Sequence, residues 1–170
     1  MAGQLIQVAT TSISNVSNFS ITGIDTDDVY LITLNNLYMN TDGARPRLRF
    51  TKSSDSSADT TANYDYANKD MYATTTFSNN AGANTTYYNG FSLGTDNTEG
   101  LRAIYYCYNF NNSSEYSFIT YEEIATNNAG ANAGRIGGMV LTVAQSCNGL
   151  NWHSSTNNIA NATATLYKVV

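Results

Sequence analysis

Proline occurs once in this chain, at Pro46, tryptophan once, at Trp152, and histidine once, at His153. A single imidazole leaves any Ser-His-Asp or Cys-His arrangement only His153 to use, and no GxSxG elbow or other nucleophile signature accompanies it. Cysteine is nearly as scarce. Cys107 and Cys147 lie 40 positions apart with no CxxC pair, too few ligands with one histidine for a structural zinc site. They read as two buried thiols, with a disulfide left open should the strands that carry them be neighbours. Charge is thin too, at 12% of 170 residues, about half the usual share. Eight Lys and Arg against 13 Asp and Glu give a net charge of −5, which argues against a partner made of nucleic acid. No run approaches transmembrane length, and residues 1–8 lack the basic start and apolar stretch of a signal peptide, so no membrane insertion is expected. No cofactor is expected either.

Asparagine, threonine, serine, glycine and tyrosine fill the chain instead. Thr and Tyr sit well on a pleated sheet, while Asn, Gly and Ser supply turns. Apolar and polar residues alternate over short runs separated by Asn, Gly, Ser and Asp clusters, an all-β pattern. Candidate strands cover 5–9, 18–22, 28–38, 47–50, 71–77, 86–93, 101–110, 115–124, 135–144 and 162–169. About ten strands at this spacing predict an antiparallel β-sandwich, jelly-roll-like, formed by residues 1–170 as a single domain. The segment 28–38 is apolar on both faces and reads as a central strand. Pro46 cannot donate to a ladder and places the strand of Arg47 and Arg49 at an edge. The longest loops are expected at 52–63 and at 148–158, the second an ordered loop whose Trp152 indole docks on the body.

Asn79-Asn80-Ala81-Gly82-Ala83-Asn84 recurs as Asn127-Asn128-Ala129-Gly130-Ala131-Asn132, and both copies look like hairpin loops. Biased composition is favoured as its source, since the similarity does not extend into the flanking strands, and the alternative is two loops at the same end of a sandwich. Composition equally supplies the Asn-X-Ser/Thr triplets at Asn15, Asn18, Asn84, Asn112 and Asn161. Asp25-Thr26-Asp27-Asp28 lacks the spacing and glycine of an EF-hand and reads as a turn leading into the next strand. Paired carboxylates could run glycoside hydrolysis, but nothing in the spacing of Asp65, Asp70, Glu115, Glu122 and Glu123 marks two of them as partners.

Two surface features stand out. Arg45, Arg47, Arg49 and Lys52 gather half of the eight basic residues into eight positions, and on a strand the three arginines point to one side. Such a ridge could dock on a carboxylate-rich partner or an anionic sugar, and equally protects a sheet edge. The other feature is the set of 13 tyrosines, in which adjacent pairs such as Tyr87-Tyr88 and Tyr105-Tyr106 put one ring on each face of a sheet. Exposed rings of this kind favour self-association or carbohydrate stacking. Trp152, Tyr64, Tyr66, Tyr87 and Tyr88 are the candidate glycan or receptor surface.

The runs Asp28-Val29-Tyr30-Leu31-Ile32-Thr33-Leu34-Asn35-Asn36-Leu37, Thr41-Asp42-Gly43, Leu48-Arg49-Phe50 and Ala62-Asn63-Tyr64-Asp65-Tyr66-Ala67 resemble small virion structural proteins of tailed bacteriophages, marine ones especially. The closing Ala162-Thr163-Ala164-Thr165-Leu166-Tyr167 is similar to their last strand. The resemblance implies a jelly-roll-like module at the virion surface, assembled in the bacterial host cytoplasm, often a homotrimer, with no catalytic residues. It implies phage capsid or tail proteins as partners. An N-terminal anchor and a repetitive shaft, as in long fibre proteins, are not seen, which favours a capsid decoration protein. The alternative is a tail- or head-fibre module for host attachment that contacts host surface glycans.

Overall fold

Twelve strands divide between two antiparallel sheets in the computed structural model of the protein, which describes residues 3–73 and 77–170. In chain order they are β1 (Leu5–Val16), β2 (Asn18–Thr22), β3 (Tyr30–Met39), β4 (Pro46–Lys52), β5 (Tyr64–Tyr72), β6 (Ser78–Thr85), β7 (Tyr88–Asn89), β8 (Leu101–Tyr108), β9 (Ser117–Thr126), β10 (Asn132–Leu141), β11 (Cys147–Ser154) and β12 (Ile159–Val169). A 3-10 turn at Asn97–Glu99, capped by the Asp96 side chain, is the one helical element among the described residues.

The large sheet runs β1-β12-β3-β8-β9-β10-β5-β6 and the small one β2-β11-β4-β7. The chain passes from one sheet to the other at every connection except β5-β6, β8-β9 and β9-β10. Without β5, β6, β9 and β10, two four-stranded sheets remain in the wrapped order of a jelly roll. The hairpins β5-β6 and β9-β10 widen the large sheet beyond the small one. That mismatch decides which faces are covered.

Alternation produces the core. In β8, Leu101, Ala103, Tyr105 and Cys107 face inward, and in β9 Ser117, Ile119, Tyr121, Glu123 and Ala125 do the same, all of them buried. From the small sheet Phe19, Ile21, Leu48, Phe50, Leu150 and Trp152 meet them. Burying one such side chain stabilises the fold by about 1.5–3 kcal/mol, so the interdigitated inner faces dominate its stability.

Several expectations need correction. The segment 148–158 holds strand β11, which sits at the centre of the small sheet between β2 and β4. Its inward Leu150 and Trp152 alternate with Asn151 and His153, and asparagine and glycine hid that alternation. The segment 71–77 is not one strand: β5 ends at Tyr72, and residues 74–76 lie outside the described residues. The two identical hexapeptides adopt different structures. The copy at 127–132 forms the β9-β10 turn, with Asn127 Oδ1 accepting from the Ala129 and Ala131 amides and Gly130 at φ 74°. The copy at 79–84 lies within edge strand β6 and pairs with β5. The same letters serve as turn or ladder according to which strand lies alongside. The strand of the arginines lies one place in from the edge, since two-residue β7 covers Arg47 and Leu48. Cys107 and Cys147 are free buried thiols.

Candidate functional site

Between the sheets lies a charged cluster. Arg135 of β10 donates to Asp70 of β5, to the Tyr88 hydroxyl at 2.6 Å and to the Asn89 carbonyl at 2.9 Å. Its guanidinium lies 4.2 Å from the Phe91 ring centre. Glu123 of β9 accepts from Tyr88 at 2.8 Å and Tyr105 at 3.0 Å, and its carboxylate lies 3.8 Å from Arg135. Burial raises the Glu123 carboxyl above its usual range, while Arg135, Tyr88 and Tyr105 hold it back. Asp70 and Glu123 thus meet through one arginine, and both are buried, at 5% and 4% exposure. They anchor the widened part of the large sheet to β7. Both carboxylates point between the sheets, away from the open outer troughs.

The other acids considered as partners lie apart from this pair. Asp65 accepts from the Asn84 amide, Glu115 from the Asn109 side chain, and Glu122 stands on the outer face of the large sheet. In the turn before β3, Asp25 accepts from Tyr30, Asp27 from Asn112, and Asp28 from Thr26 and Lys168. Each carboxylate of that turn already has a protein donor, as a structural turn requires.

The tyrosine expectation fails in part. Trp152 (1% exposed) stacks on Phe19 at 5.1 Å between ring centres, inside the sandwich. Tyr64 is buried, accepts from the Phe50 amide and donates to the Asp59 carbonyl. Tyr88 is buried in the Arg135 cluster. These three present no surface to a glycan, because their rings face the opposite sheet. Tyr66 is half-buried and packs edge-on against Tyr88. Only Tyr87 of the set faces the small sheet's outer side, beside the arginines.

That outer side is the first candidate surface. Arg47 and Arg49 project from β4, and His153 of β11 stands directly across from Arg47. The Arg47 guanidinium lies 4.2 Å from the Tyr87 ring centre and that of Arg49 5.8 Å, with the His153 ring edge-on to Tyr87 at 5.7 Å. Arg47 Nε donates to Asn89 Oδ1 at 3.3 Å, Arg49 Nε to the Thr86 carbonyl at 2.8 Å, and Arg45 Nη1 to the Gly90 carbonyl at 3.0 Å. Lys52 falls on the other side of the strand alternation and pairs with Asp55 in the following turn. The ridge therefore holds three arginines and a histidine, without Lys52. His153 and Asn89 join it only through strand pairing.

The second candidate surface is the outer face of the large sheet. Ile104 and Tyr106 of β8, Phe118 and Ile124 of β9 and Ile136 of β10 are 40–62% exposed. Register sets them side by side: Ile104 opposite Glu122, Glu122 opposite Ile136, and Ile136 opposite Lys69. A shallow trough of about 810 Å³ runs over Ile104, Tyr106, Tyr108 and Ile136, bounded by Lys69, Asn79, Asn80 and Glu122. A second trough of about 750 Å³ continues from Ile104 and Ile136 to Ile124 and Met71. Alternation in β8 and β9 could have revealed this band, because Ile104, Tyr106, Phe118 and Ile124 occupy the face opposite the core residues. Only the sheet order shows that, among the described residues, no second layer covers it.

No protein-family model matches the chain, and a search of curated proteins returns no match.

Proposed function

We propose that the protein is a non-enzymatic structural component of a tailed-bacteriophage virion, an exterior capsid decoration protein that packs against copies of itself, as a homotrimer, through the outer face of the large sheet. The observation behind this reading is the apolar band of Ile104, Tyr106, Phe118, Ile124 and Ile136. Five large apolar side chains exposed on one sheet face, interrupted by Glu122 and edged by Arg102 and Lys69, favour a contact with another molecule. A stable interface needs about 800 Å² per partner, roughly a tenth of this chain's 7694 Å². The eight-stranded sheet is wide enough to supply it. Neutral hydroxyls flank the band on β1 and β12, where Thr10 bonds Thr165 and Ser12 bonds Thr163, so association there would depend little on salt.

A fibre-type receptor-binding module is the second reading. The observation in its favour is the trough where Tyr106 and Tyr108 lie beside Asn79, Asn80, Lys69 and Glu122, an apolar floor with a polar rim of the kind sugars use.

Copy number separates the two. Quantitative mass spectrometry of purified virions, measured against the major shell protein, should give near-stoichiometric abundance for a decoration protein. A few dozen copies or fewer would move the protein to the tail or to fibres. Absence from the particle would sink both readings.

A further inference from the structure

We propose that the outer face of the four-stranded sheet carries a carboxylate-binding site formed by Arg47 and Arg49 over Tyr87 with His153 beside them, and that its ligand is an acidic segment of a partner protein. The virion reading enters only in naming who supplies that segment.

Among the described residues, Arg45, Arg47 and Arg49 form no ion pair, although the chain holds 13 acids against eight basic residues. In an acidic protein, an arginine cluster left without carboxylates is a local inversion of charge. Each guanidinium is held from its inner edge, Arg47 Nε by Asn89 and Arg49 Nε by Thr86. Stacking against Tyr87 fixes the planes as well. That leaves the terminal nitrogens to receive an oxyanion from forks that are already ordered, which lowers the entropy cost of bidentate binding.

His153 supplies the third observation. Its Nδ1 is buried without a hydrogen-bond partner, on a ring set edge-on to Tyr87 and directly across the ladder from Arg47. Burial, then Arg49, then Arg47 disfavour its protonated form. A carboxylate seated on the arginines would offset the arginine part of that penalty and leave the burial part. Carboxylate rather than sugar is indicated because Tyr87 is already engaged by Arg47 and His153, so it has little ring face to stack beneath a pyranose.

The test uses hexaglutamate and the isolated full-length protein. His153 is the sole histidine, so its ring Hε1 gives a single NMR signal that needs no assignment among histidines. Hexaglutamate should shift that signal saturably and move its titration midpoint upward from about 4, and binding should weaken about tenfold from roughly 0.02 to 0.3 M salt. R47Q/R49Q with an unchanged circular dichroism spectrum should abolish the shift. R47K/R49K, which keeps the charge but loses the fork, should bind several-fold more weakly. No response at millimolar hexaglutamate, or undiminished binding by either double variant, overturns the proposal. A response to oligoglucuronate alone replaces it with an anionic-glycan site. None of these results depends on virion copy number, so the two proposals fail separately.

Discussion

Arg135 holds Asp70 through two parallel hydrogen bonds, Nε to Oδ1 at 2.5 Å and Nη2 to Oδ2 at 2.9 Å, in the interior between the two sheets. Burial opposes the Arg135 charge, and the Asp70 bonds together with Tyr88 and Glu123 more than offset it. Arg135→Met would leave Asp70 and Glu123 buried without a counter-charge. The expected cost is about 3–5 kcal/mol, read as a lower urea midpoint. A loss under about 1 kcal/mol would mean that water enters the cluster and solvates the acids.

Stability should depend on pH with opposite slopes at two residues. His153 is pulled down from 6.5 to about 4 in the folded state, so the unfolded chain binds more protons between those values. Its contribution is full above pH 6.5 and is lost as pH falls toward 4. Glu123 is raised above 4.5, so the folded state keeps that proton longer and stability falls as pH climbs through the raised value. Urea midpoints across about pH 4 to 8 should show a flatter acid side in His153→Gln and a flatter rise-side loss in Glu123→Gln. Parallel curves for the variants and the parent would refute the assignment.

Self-association should disappear when charge enters the apolar band. Ile124→Asp combined with Ile136→Asp should shift the protein to monomer in light scattering at micromolar concentration. Both side chains are exposed, so each substitution should cost no more than about 1 kcal/mol, including the cross-strand repulsion between residue 136 and Glu122. An unchanged oligomer would place the interface elsewhere, and a parent that is already monomeric would remove the homotrimer from the reading.

Gly149 should not tolerate a side chain. A Cβ there would fall on the carbonyl oxygen of Ile21 on neighbouring β2, a backbone atom that cannot swing aside. Gly149→Ala is expected to cost upwards of about 2 kcal/mol by overpacking and loss of the β2-β11 ladder. Gly130 is the comparison, with open space around its Cβ position but φ at 74°. Gly130→Ala should cost about 1 kcal/mol through backbone strain alone. Equal losses at the two sites would contradict the close approach of β2 to β11.

The all-β class was legible because alternation is local: residues two apart share a face, whatever the rest of the chain does. Tyr87-Tyr88 and Tyr105-Tyr106 are pairs split between faces, as alternation requires, and the Arg47-Arg49 side of β4 follows from the same rule. Strand β11 was missed since Asn148, Gly149 and Asn151 carry turn propensity, and only pairing with β2 and β4 on both sides overrides it. The repeated hexapeptide shows the limit most directly. Its two copies are indistinguishable as sequence, and partner strands alone make one a turn and the other an edge.

Composition and period thus determined that this protein is a sandwich of tyrosine-bearing strands with little charge and one imidazole. Tertiary structure alone decided what each surface contains. It turned Trp152, Tyr64 and Tyr88 inward, joined Asp70 to Glu123 through an arginine 65 positions from Asp70, and set His153 beside Arg47. It also left the Ile104, Ile124 and Ile136 face open, because those side chains point away from the small sheet and no other described element packs over them. Which face meets the core is set by neighbouring residues, whereas which face is covered depends on strand order, a relation between segments far apart in the chain.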